Sequence, residues 1–298
     1  MKILRQTIHG LEHQCYLWGN EKNPPLFFLH GWMDTGASFD ALAQHLSSDY
    51  YCIAFDLRGF GKTEHCDTAS GYFFYEYLLD LYEILRRFGA GSMGGKIRLV
   101  GHSMGGNIAS LYAGTFPEHV SHLVNLEGVG PQGQAPEKAP ERVREWIEDA
   151  HLDKPENRFR DYPTIEALAE RLKKANPHLT DNFLQVLLPF LTKRSAQGFS
   201  FSADAKHKWL HPFLIPLEQY FEFWRRIEAK CLLVTAENSD IGGYLQRPRD
   251  AAKEIARRFS NYPKGTTTVV IPSAGHMFHQ EKPEELAKLI QEFLSQNN

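Results

Sequence analysis

The sequence lacks the features that mark membrane proteins and nucleic-acid-binding proteins. None of its apolar runs reaches the roughly 18 residues that a membrane-spanning helix needs, and residues 1–6 carry no apolar signal-peptide core. The formal net charge of the 298 residues is only −3, so the composition predicts no basic surface for nucleic acid or for an anionic membrane. We therefore expect a soluble cytoplasmic protein with neither kind of partner.

Cysteine is also scarce, and no metal-ligand motif is present. The four cysteines are scattered along the chain, at Cys15, Cys52, Cys66 and Cys231. This spacing indicates neither a disulfide framework nor a zinc site. Histidine is more abundant, and His276 and His279 form an i, i+3 pair, but no H-E-x-x-H or other carboxylate-flanked ligand set accompanies them. We predict that the protein holds no metal.

Apolar-rich runs alternate with amphipathic helical patterns along most of the chain. The runs occupy residues 25–29, 51–55, 97–100, 120–126, 231–235 and 267–271. Such runs are typical of strands that are buried on both faces of a parallel sheet. Because helical patterns separate them, the predicted fold class is α/β.

This alternation breaks after Gly130. Several prolines and charged helical patterns follow, and the next strand pattern begins only near residue 231. We predict that residues 131–225, called the insertion below, form a mostly helical cap on an α/β core made of residues 1–130 and 226–298. The insertion is rich in large apolar side chains, and we expect a minority of them to face a binding pocket.

The segment Gly101-His102-Ser103-Met104-Gly105 places a serine between glycines, after a predicted strand and before a helical pattern. In a G-x-S-x-G elbow the serine lies on a tight turn that exposes its hydroxyl. The G-x-S-x-G motif alone is weak evidence for a nucleophile, because about one chain in ten of this length contains it by chance. The related Ser92-Met93-Gly94-Gly95 precedes a strand instead, and we predict a loop there. Its position after a strand makes Ser103 the candidate nucleophile.

A serine nucleophile needs a base, and the base needs an acid that fixes its tautomer. His276 follows the last predicted strand, so parallel topology places it at the same sheet edge as Ser103, and we predict that it is the base. Two carboxylates compete for the third role. Glu127 directly follows a buried strand, whereas Asp240 lies in a loop after the next strand. A glutamate at a buried strand end is harder to explain by solvation, so Glu127 is favoured and Asp240 stays the alternative.

The developing oxyanion needs two donors, and backbone N–H groups can supply both. Met104 follows the nucleophile directly, and Trp32 follows the first apolar run and the pair His30-Gly31. We predict that the N–H groups of these two residues form the oxyanion hole. His30, Gly31 and His102 are further candidates for contacts with the substrate.

Four blocks together resemble the α/β-hydrolase fold superfamily, in its order and at its spacing, over nearly the whole chain. They are His30-Gly31-Trp32, Asp56-Leu57-Arg58-Gly59-Phe60-Gly61, Gly101-His102-Ser103-Met104-Gly105-Gly106 and Gly275-His276. The resemblance implies an eight-stranded, mostly parallel sheet flanked by helices, with the helical cap inserted after the sixth strand. It also implies a serine nucleophile, a histidine base and no cofactor.

Within that superfamily, residues 126–131 and 198–204 resemble the kraken-like serine hydrolases. The commonest superfamily pattern carries its acid in a Gly-x-x-Asp turn after the strand at residues 231–235. Here Ala236 replaces the glycine and Asp240 falls one residue late, which again favours Glu127.

These residues predict an esterase that forms an acyl-enzyme intermediate on a small-molecule ester with a small to medium apolar acyl group. Cleavage of thioesters, amides or carbon–carbon bonds by the same residues stays open. So does a non-catalytic ligand receptor with this fold. The natural substrate and the oligomeric state do not follow from the sequence.

Overall fold

The computed structural model describes residues 1–89, 96–133, 135–152, 154–245 and 250–296. The strands within these residues are β1 (Lys2–Ile8), β2 (Leu11–Trp18), β3 (Pro25–Leu29), β4 (Tyr51–Phe55), β5 (Ile97–His102), β6 (Val120–Leu126), β7 (Thr192–Ser195), β8 (Gly198–Phe201), β9 (Lys230–Ala236) and β10 (Thr267–Ile271). Eight of them form one sheet in the order β1-β2-β4-β3-β5-β6-β9-β10. The remaining two, β7 and β8, pair as a separate antiparallel hairpin.

The sheet is mostly parallel, which confirms the predicted fold class. Strands β4, β3, β5, β6, β9 and β10 are parallel to one another and correspond to the six apolar-rich runs. Only β1 and β2 are antiparallel, to each other and, for β2, to β4. The strand pattern did not predict these two, because β1 is largely exposed and polar residues 12–14 interrupt the apolar pattern of β2.

The helices are α1 (Asp40–Leu46), α2 (Phe74–Arg87), α3 (Met104–Thr115), α4 (Ala139–His151), α5 (Ile165–Ala175), α6 (Asp181–Leu191), α7 (Leu217–Arg225), α8 (Ile241–Tyr244), α9 (Ala251–Phe259), α10 (Phe278–Glu281) and α11 (Pro283–Ser295). They cover both faces of the sheet. Phe27 packs in one apolar cluster with residues of α2 and α3, and its neighbour Phe28 packs in a second cluster with residues of α1 and α11. Because side chains alternate along a strand, a strand covered on both faces must be apolar at successive positions.

The parallel register brings four strand ends to one edge of the sheet. Leu29 of β3 lies beside Gly101 of β5, and His102 lies beside Leu126 of β6. Leu126 is in turn beside Val234 of β9. The segments that follow these four strands therefore emerge together, as binding segments do at the carboxyl edge of a parallel sheet. The segment after β10 joins them, because Ile271 of β10 lies beside Ala236 of β9.

The insertion contains the helices α4 to α7 and the hairpin β7–β8, which the sequence analysis did not predict. Its last helix, α7, packs closely against α3 of the core. A Cβ atom at Gly114 of α3 would lie only 2.1 Å from the backbone oxygen of Phe223 in α7. Only glycine allows this approach of the two backbones.

A stack of three aromatic rings, one from the insertion and two from the core, connects the insertion to the core. The imidazole of His207 lies between the rings of Phe60 and Tyr72, with centroids 3.7 Å and 3.9 Å away. The hydroxyl of Tyr72 donates to Asp204 at 2.8 Å, and the N–H of Asp204 donates to the backbone oxygen of Gly59, also at 2.8 Å. These contacts hold the segment that covers the carboxyl edge of the sheet.

None of the helices in the described part of the chain is long and apolar enough to cross a membrane. The segment Ser92-Met93-Gly94-Gly95, for which the sequence predicts a loop, lies outside the described residues.

Candidate active site

Ser103 lies on the turn between β5 and α3, in a backbone conformation that is rare for residues other than glycine. Its φ is 52° and its ψ is −114°. Such a conformation costs on the order of 1–3 kcal/mol and persists only where the surrounding structure imposes it. Here the N–H of Ser103 donates to the backbone oxygen of Leu126 at 2.7 Å. The side chain lines a cavity, so the turn presents the hydroxyl to that cavity.

The glycines around Ser103 are required by space. A Cβ atom at Gly105 would lie 2.1 Å from the backbone oxygen of Leu29, and one at Gly101 would lie 2.3 Å from the backbone oxygen of Gly105. Helix α3 therefore starts almost in contact with β3. This close approach sets the direction of the helix and of its free N-terminal N–H groups.

His276 and Glu127 are joined by a short hydrogen bond. Nδ1 of His276 lies 2.5 Å from Oε2 of Glu127. The Glu127 side chain is completely buried, whereas 43% of the His276 side chain is exposed. A carboxylate as acceptor requires that Nδ1 carries the proton, which leaves Nε2 free to act as a base. Both residues line the same cavity as Ser103.

The buried carboxylate of Glu127 has two further donors. The N–H of Ala236 donates to Oε1 at 2.8 Å, and the hydroxyl of Ser239 donates to Oε2 at 2.7 Å. A buried charge is tolerated only when such donors replace its hydration. Glu127 itself has a φ of 59°, so its backbone, like that of Ser103, has a positive φ that is uncommon outside glycine.

Asp240 occupies a different position. Its carboxylate accepts the N–H of Gly243 at 2.9 Å and thereby caps the short helix α8. It lines the cavity, but of the two candidate acids in the described chain it is Glu127 that hydrogen-bonds to His276. The geometry thus favours the sequence preference for Glu127.

The loop that carries His276 is held by residues that the sequence analysis missed. The N–H of Gly275 donates to Oε2 of Glu281 at 2.8 Å, and the N–H of Ser273 donates to Oε2 of Glu237 at 2.7 Å. No motif marks these two glutamates, because their partners are backbone groups of another segment. Their only sequence signal is proximity to the strand ends around the site.

His30, Gly31 and His102 do not fit the substrate-binding role predicted for them, and this expectation is corrected. Both histidines are buried to 1% exposure or less, and among the described residues none of the three lines the cavity. His30 accepts the N–H of Leu57 at 3.0 Å. A Cβ at Gly31 would lie 2.9 Å from Nδ1 of His102. Both histidine side chains point into the protein, and the three residues pack behind the turn of Ser103.

His102 instead supports the loop of His276. Its Nε2–H donates to the backbone oxygen of His276 at 2.8 Å, and the two rings are 4.6 Å apart. Burial, together with the neighbouring His279 and His276, holds the pKa of His102 well below its usual range. The ring therefore stays neutral and adds no charge beside the base.

One group of buried side chains in the described chain could hold a metal ion. Asp34, His102 and His279 offer ligand atoms that all lie within 4.8 Å of one another. The carboxylate of Asp34 already accepts the hydroxyl of Ser38 at 2.8 Å. The group lies behind the turn of Ser103 and its members are not among the residues that line the cavity.

The cavity has a volume of about 720 Å³ and a largely aromatic wall. Core and insertion both contribute rings, among them Trp32, Tyr72, Tyr77, Trp146, Trp209 and Phe213. Trp32 and Phe213 are 55% and 64% exposed, far more than large apolar side chains of a core. Trp146, Trp209 and Phe213 come from the insertion, which supplies the expected minority of pocket-facing side chains.

The two cationic side chains of the wall, Arg142 and Lys206, are hydrogen-bonded to backbone oxygens. Arg142 donates to the backbone oxygen of His211 at 2.9 Å, and Nζ of Lys206 donates to the backbone oxygen of Cys66 at 3.0 Å. Burial lowers the pKa of His207 to about 3 and also lowers the pKa of His211. Both imidazoles are therefore neutral near pH 7 and add no positive charge to the cavity.

Comparisons with known proteins agree with this architecture. The family model for the alpha/beta hydrolase fold matches residues 24–283. A serine hydrolase-like protein of Danio rerio is 28% identical over 292 residues, which cover 97% of this chain and 87% of that protein. Serine hydrolase-like protein 2 of Homo sapiens is 27% identical over 289 residues, covering 93% of this chain and 88% of that protein.

Solved structures show the same fold. The thioesterase domain from the curacin biosynthetic pathway superposes with a TM-score of 0.84 at 23% identity, covering 98% of this chain and 99% of that domain.

Proposed function

The chain belongs to the alpha/beta hydrolase fold family, and from this premise we propose that it is a serine hydrolase that cleaves carboxylic esters through an acyl-enzyme intermediate. One observation carries the proposal. The base His276 is joined to the buried Glu127 at 2.5 Å, and it lines the same cavity as Ser103, which is held on a strained turn.

In the proposed reaction, Oγ of Ser103 attacks the ester carbonyl while Nε2 of His276 takes the hydroxyl proton. The imidazolium that forms is stabilised by Glu127 and then gives its proton to the departing alcohol. A water molecule, deprotonated by His276, attacks the acyl-enzyme and releases the carboxylic acid. The serine regains its proton, so the overall change is ester plus water to acid plus alcohol.

The N–H groups of Met104 and Trp32 are the proposed oxyanion donors. Met104 is the first residue of α3, so its N–H has no carbonyl partner within that helix. Both residues line the cavity beside Ser103. Each such donor is worth about 2.7 to 4 kcal/mol of transition-state stabilisation in comparable sites.

The aromatic side chains of the wall support an apolar acyl or alcohol group as the substrate part that fills the cavity. Aromatic side chains contribute large apolar contact areas. Small to medium apolar esters are therefore the proposed substrates.

Covalent labelling and turnover test the proposal together. We expect a fluorophosphonate probe to label the wild-type protein and Ser295→Ala, whose substitution lies on α11, but not Ser103→Ala. Ser103→Ala should also lose the hydrolysis of p-nitrophenyl esters of graded acyl length, whereas the wild-type protein and Ser295→Ala should retain it. Folded wild-type protein that is not labelled would instead support a ligand receptor. Labelling with no ester turnover would direct the search to thioester, amide or carbon–carbon substrates, which a panel of such compounds resolves.

A further inference from the structure

The two oxygens of the Glu127 carboxylate carry unequal numbers of donors. Oε1 accepts one, the N–H of Ala236, whereas Oε2 accepts both Nδ1–H of His276 and the hydroxyl of Ser239. Ser239 and His276 therefore compete for the electron density of one oxygen atom. Ser239 also lines the cavity, although neither a motif nor the proposed reaction assigns it a part.

The loop after β9 is built to bring Ser239 to this oxygen. The N–H of Ser239 donates to the backbone oxygen of Ala236 at 3.3 Å, which closes a turn. The following residue, Asp240, caps α8 through Gly243. The backbone of Glu127 is bound to the same strand, because its N–H donates to the backbone oxygen of Val234 at 2.9 Å. The serine hydroxyl thus comes from a segment fixed on both sides.

We propose that Ser239 is a positioning residue of the catalytic triad, whose hydroxyl fixes Oε2 of Glu127 against Nδ1 of His276 and limits the basicity of His276. This inference rests on the proposed function, since it gives Ser239 a part in that same triad. A hydrogen bond to a charged acceptor stabilises the charge. The carboxylate oxygen that receives it attracts a second donor less strongly. Without the hydroxyl, Glu127 should hold the imidazolium of His276 more tightly.

The other groups around His276 do not provide this effect. Among the described residues, the titratable groups around it include Glu127 at the end of β6 and His102 at the end of β5, whose ring is 4.6 Å away. The carboxylate of Glu281 accepts the N–H of the neighbouring Gly275. Asp240, at the start of α8, lines the same cavity. His102 stays neutral through burial, and Asp240 is bound to the N–H of Gly243. Ser239 is thus the neutral donor that shares an oxygen with His276.

The test compares Ser239→Ala with Ser239→Thr, which keeps the hydroxyl, and with Asn238→Ala. Asn238 lies in the same loop with an exposed side chain, so its substitution controls for a general disturbance of the loop. The acidic limb of the pH profile of kcat/KM is measured for each variant. For Ser239→Ala we expect this limb to move to higher pH by about 0.5 unit and kcat to fall about fivefold. Ser239→Thr should restore both, and Asn238→Ala should change neither.

A second measurement does not need turnover. The pH midpoint of the His276 imidazole is followed by NMR in Ser103→Ala protein, with and without Ser239→Ala. We expect the midpoint to rise when the hydroxyl is removed. If it stays unchanged or falls, or if Asn238→Ala raises it equally, the role of Ser239 is refuted. If the wild-type protein shows neither labelling nor hydrolysis, the proposed function is refuted. The NMR measurement does not depend on that outcome, and it still decides whether Ser239 acts on His276.

Discussion

The sharpest test of the triad is Glu127→Gln, which keeps the shape of the side chain and removes its charge. In the structure Oε1 accepts the N–H of Ala236 at 2.8 Å and Oε2 accepts Nδ1–H of His276 at 2.5 Å. A glutamine offers one oxygen and one NH₂ group, so it cannot accept at both places. If its oxygen stays at Ala236, the NH₂ group forces Nδ1 to accept. The histidine proton then sits on Nε2, where it prevents removal of the Ser103 proton.

The opposite orientation of the glutamine is also unfavourable. Its NH₂ group would then meet the N–H of Ala236, and a buried donor left without an acceptor costs about 1–3 kcal/mol. The wrong tautomer in an otherwise intact triad lowers kcat by about 10⁴. We expect Glu127→Gln to lower kcat by about 10³ to 10⁴, or about 4 to 5.5 kcal/mol of barrier. Because Glu127 does not need to touch the bound ester for this effect, KM should change little.

The assay is steady-state hydrolysis of a p-nitrophenyl ester, with thermal unfolding as a check that the variant is folded. Asp240→Asn is the matched control. Asparagine can still accept the N–H of Gly243 and keep the cap of α8, so we expect less than about a threefold change in kcat. The reasoning fails if folded Glu127→Gln retains activity within about tenfold of wild type, or if Asp240→Asn loses as much as Glu127→Gln.

Three further predictions concern stability, each measured by urea unfolding. Gly114→Ala should lower the free energy of unfolding by about 1–3 kcal/mol, because its Cβ would lie 2.1 Å from the backbone oxygen of Phe223; an unchanged value would show that the two helices can separate freely. Ser103→Gly should raise the free energy of unfolding by about 1 kcal/mol and abolish hydrolysis, because glycine adopts a φ of 52° without strain. A lower free energy of unfolding would show that the backbone at Ser103 is not strained. His207 has a pKa of about 3 when folded and about 6.5 when unfolded. The unfolded state therefore binds more protons in this range, and stability falls as pH falls from about 6.5 to about 3 by up to about 1.4 kcal/mol per pH unit. His207→Phe keeps a ring in the stack and should reduce this slope by that amount, whereas an identical slope would show that His207 is not the group that titrates.

The sequence predicted the parallel part of the sheet because burial on both faces requires apolar residues at successive positions. Phe27 and Phe28 show this requirement directly, since they pack in two different clusters. Strand β1 has no such constraint, because it is an edge strand and largely exposed. The hairpin β7–β8 is short and lies in a polar segment, so its pattern did not distinguish it from a loop.

The residues of the candidate site also fall into two groups, those that the sequence predicted and those that it did not. Ser103, Glu127 and His276 each follow a strand of known direction, so topology alone predicted that they meet at one edge. The supporting residues Ser239 and Glu281 act on partners from other segments, and no spacing rule predicts such contacts. The sequence analysis expected His102 to contact the substrate because it precedes Ser103 in the sequence. Such proximity does not tell whether a side chain points into the cavity or into the core.

The left-handed backbone at Ser103 and Glu127 bears on the choice between an enzyme and a receptor. Both residues hold φ angles of 52° and 59°, where glycine would be unstrained. A protein that only bound a ligand would have no use for a hydroxyl and a carboxylate at these places, and random substitution toward glycine would relieve the strain. Among mutations at these two positions, the stabilising ones are therefore those that end catalysis. The proposed hydrolase function gives a reason for the chain to keep non-glycine residues at these two positions.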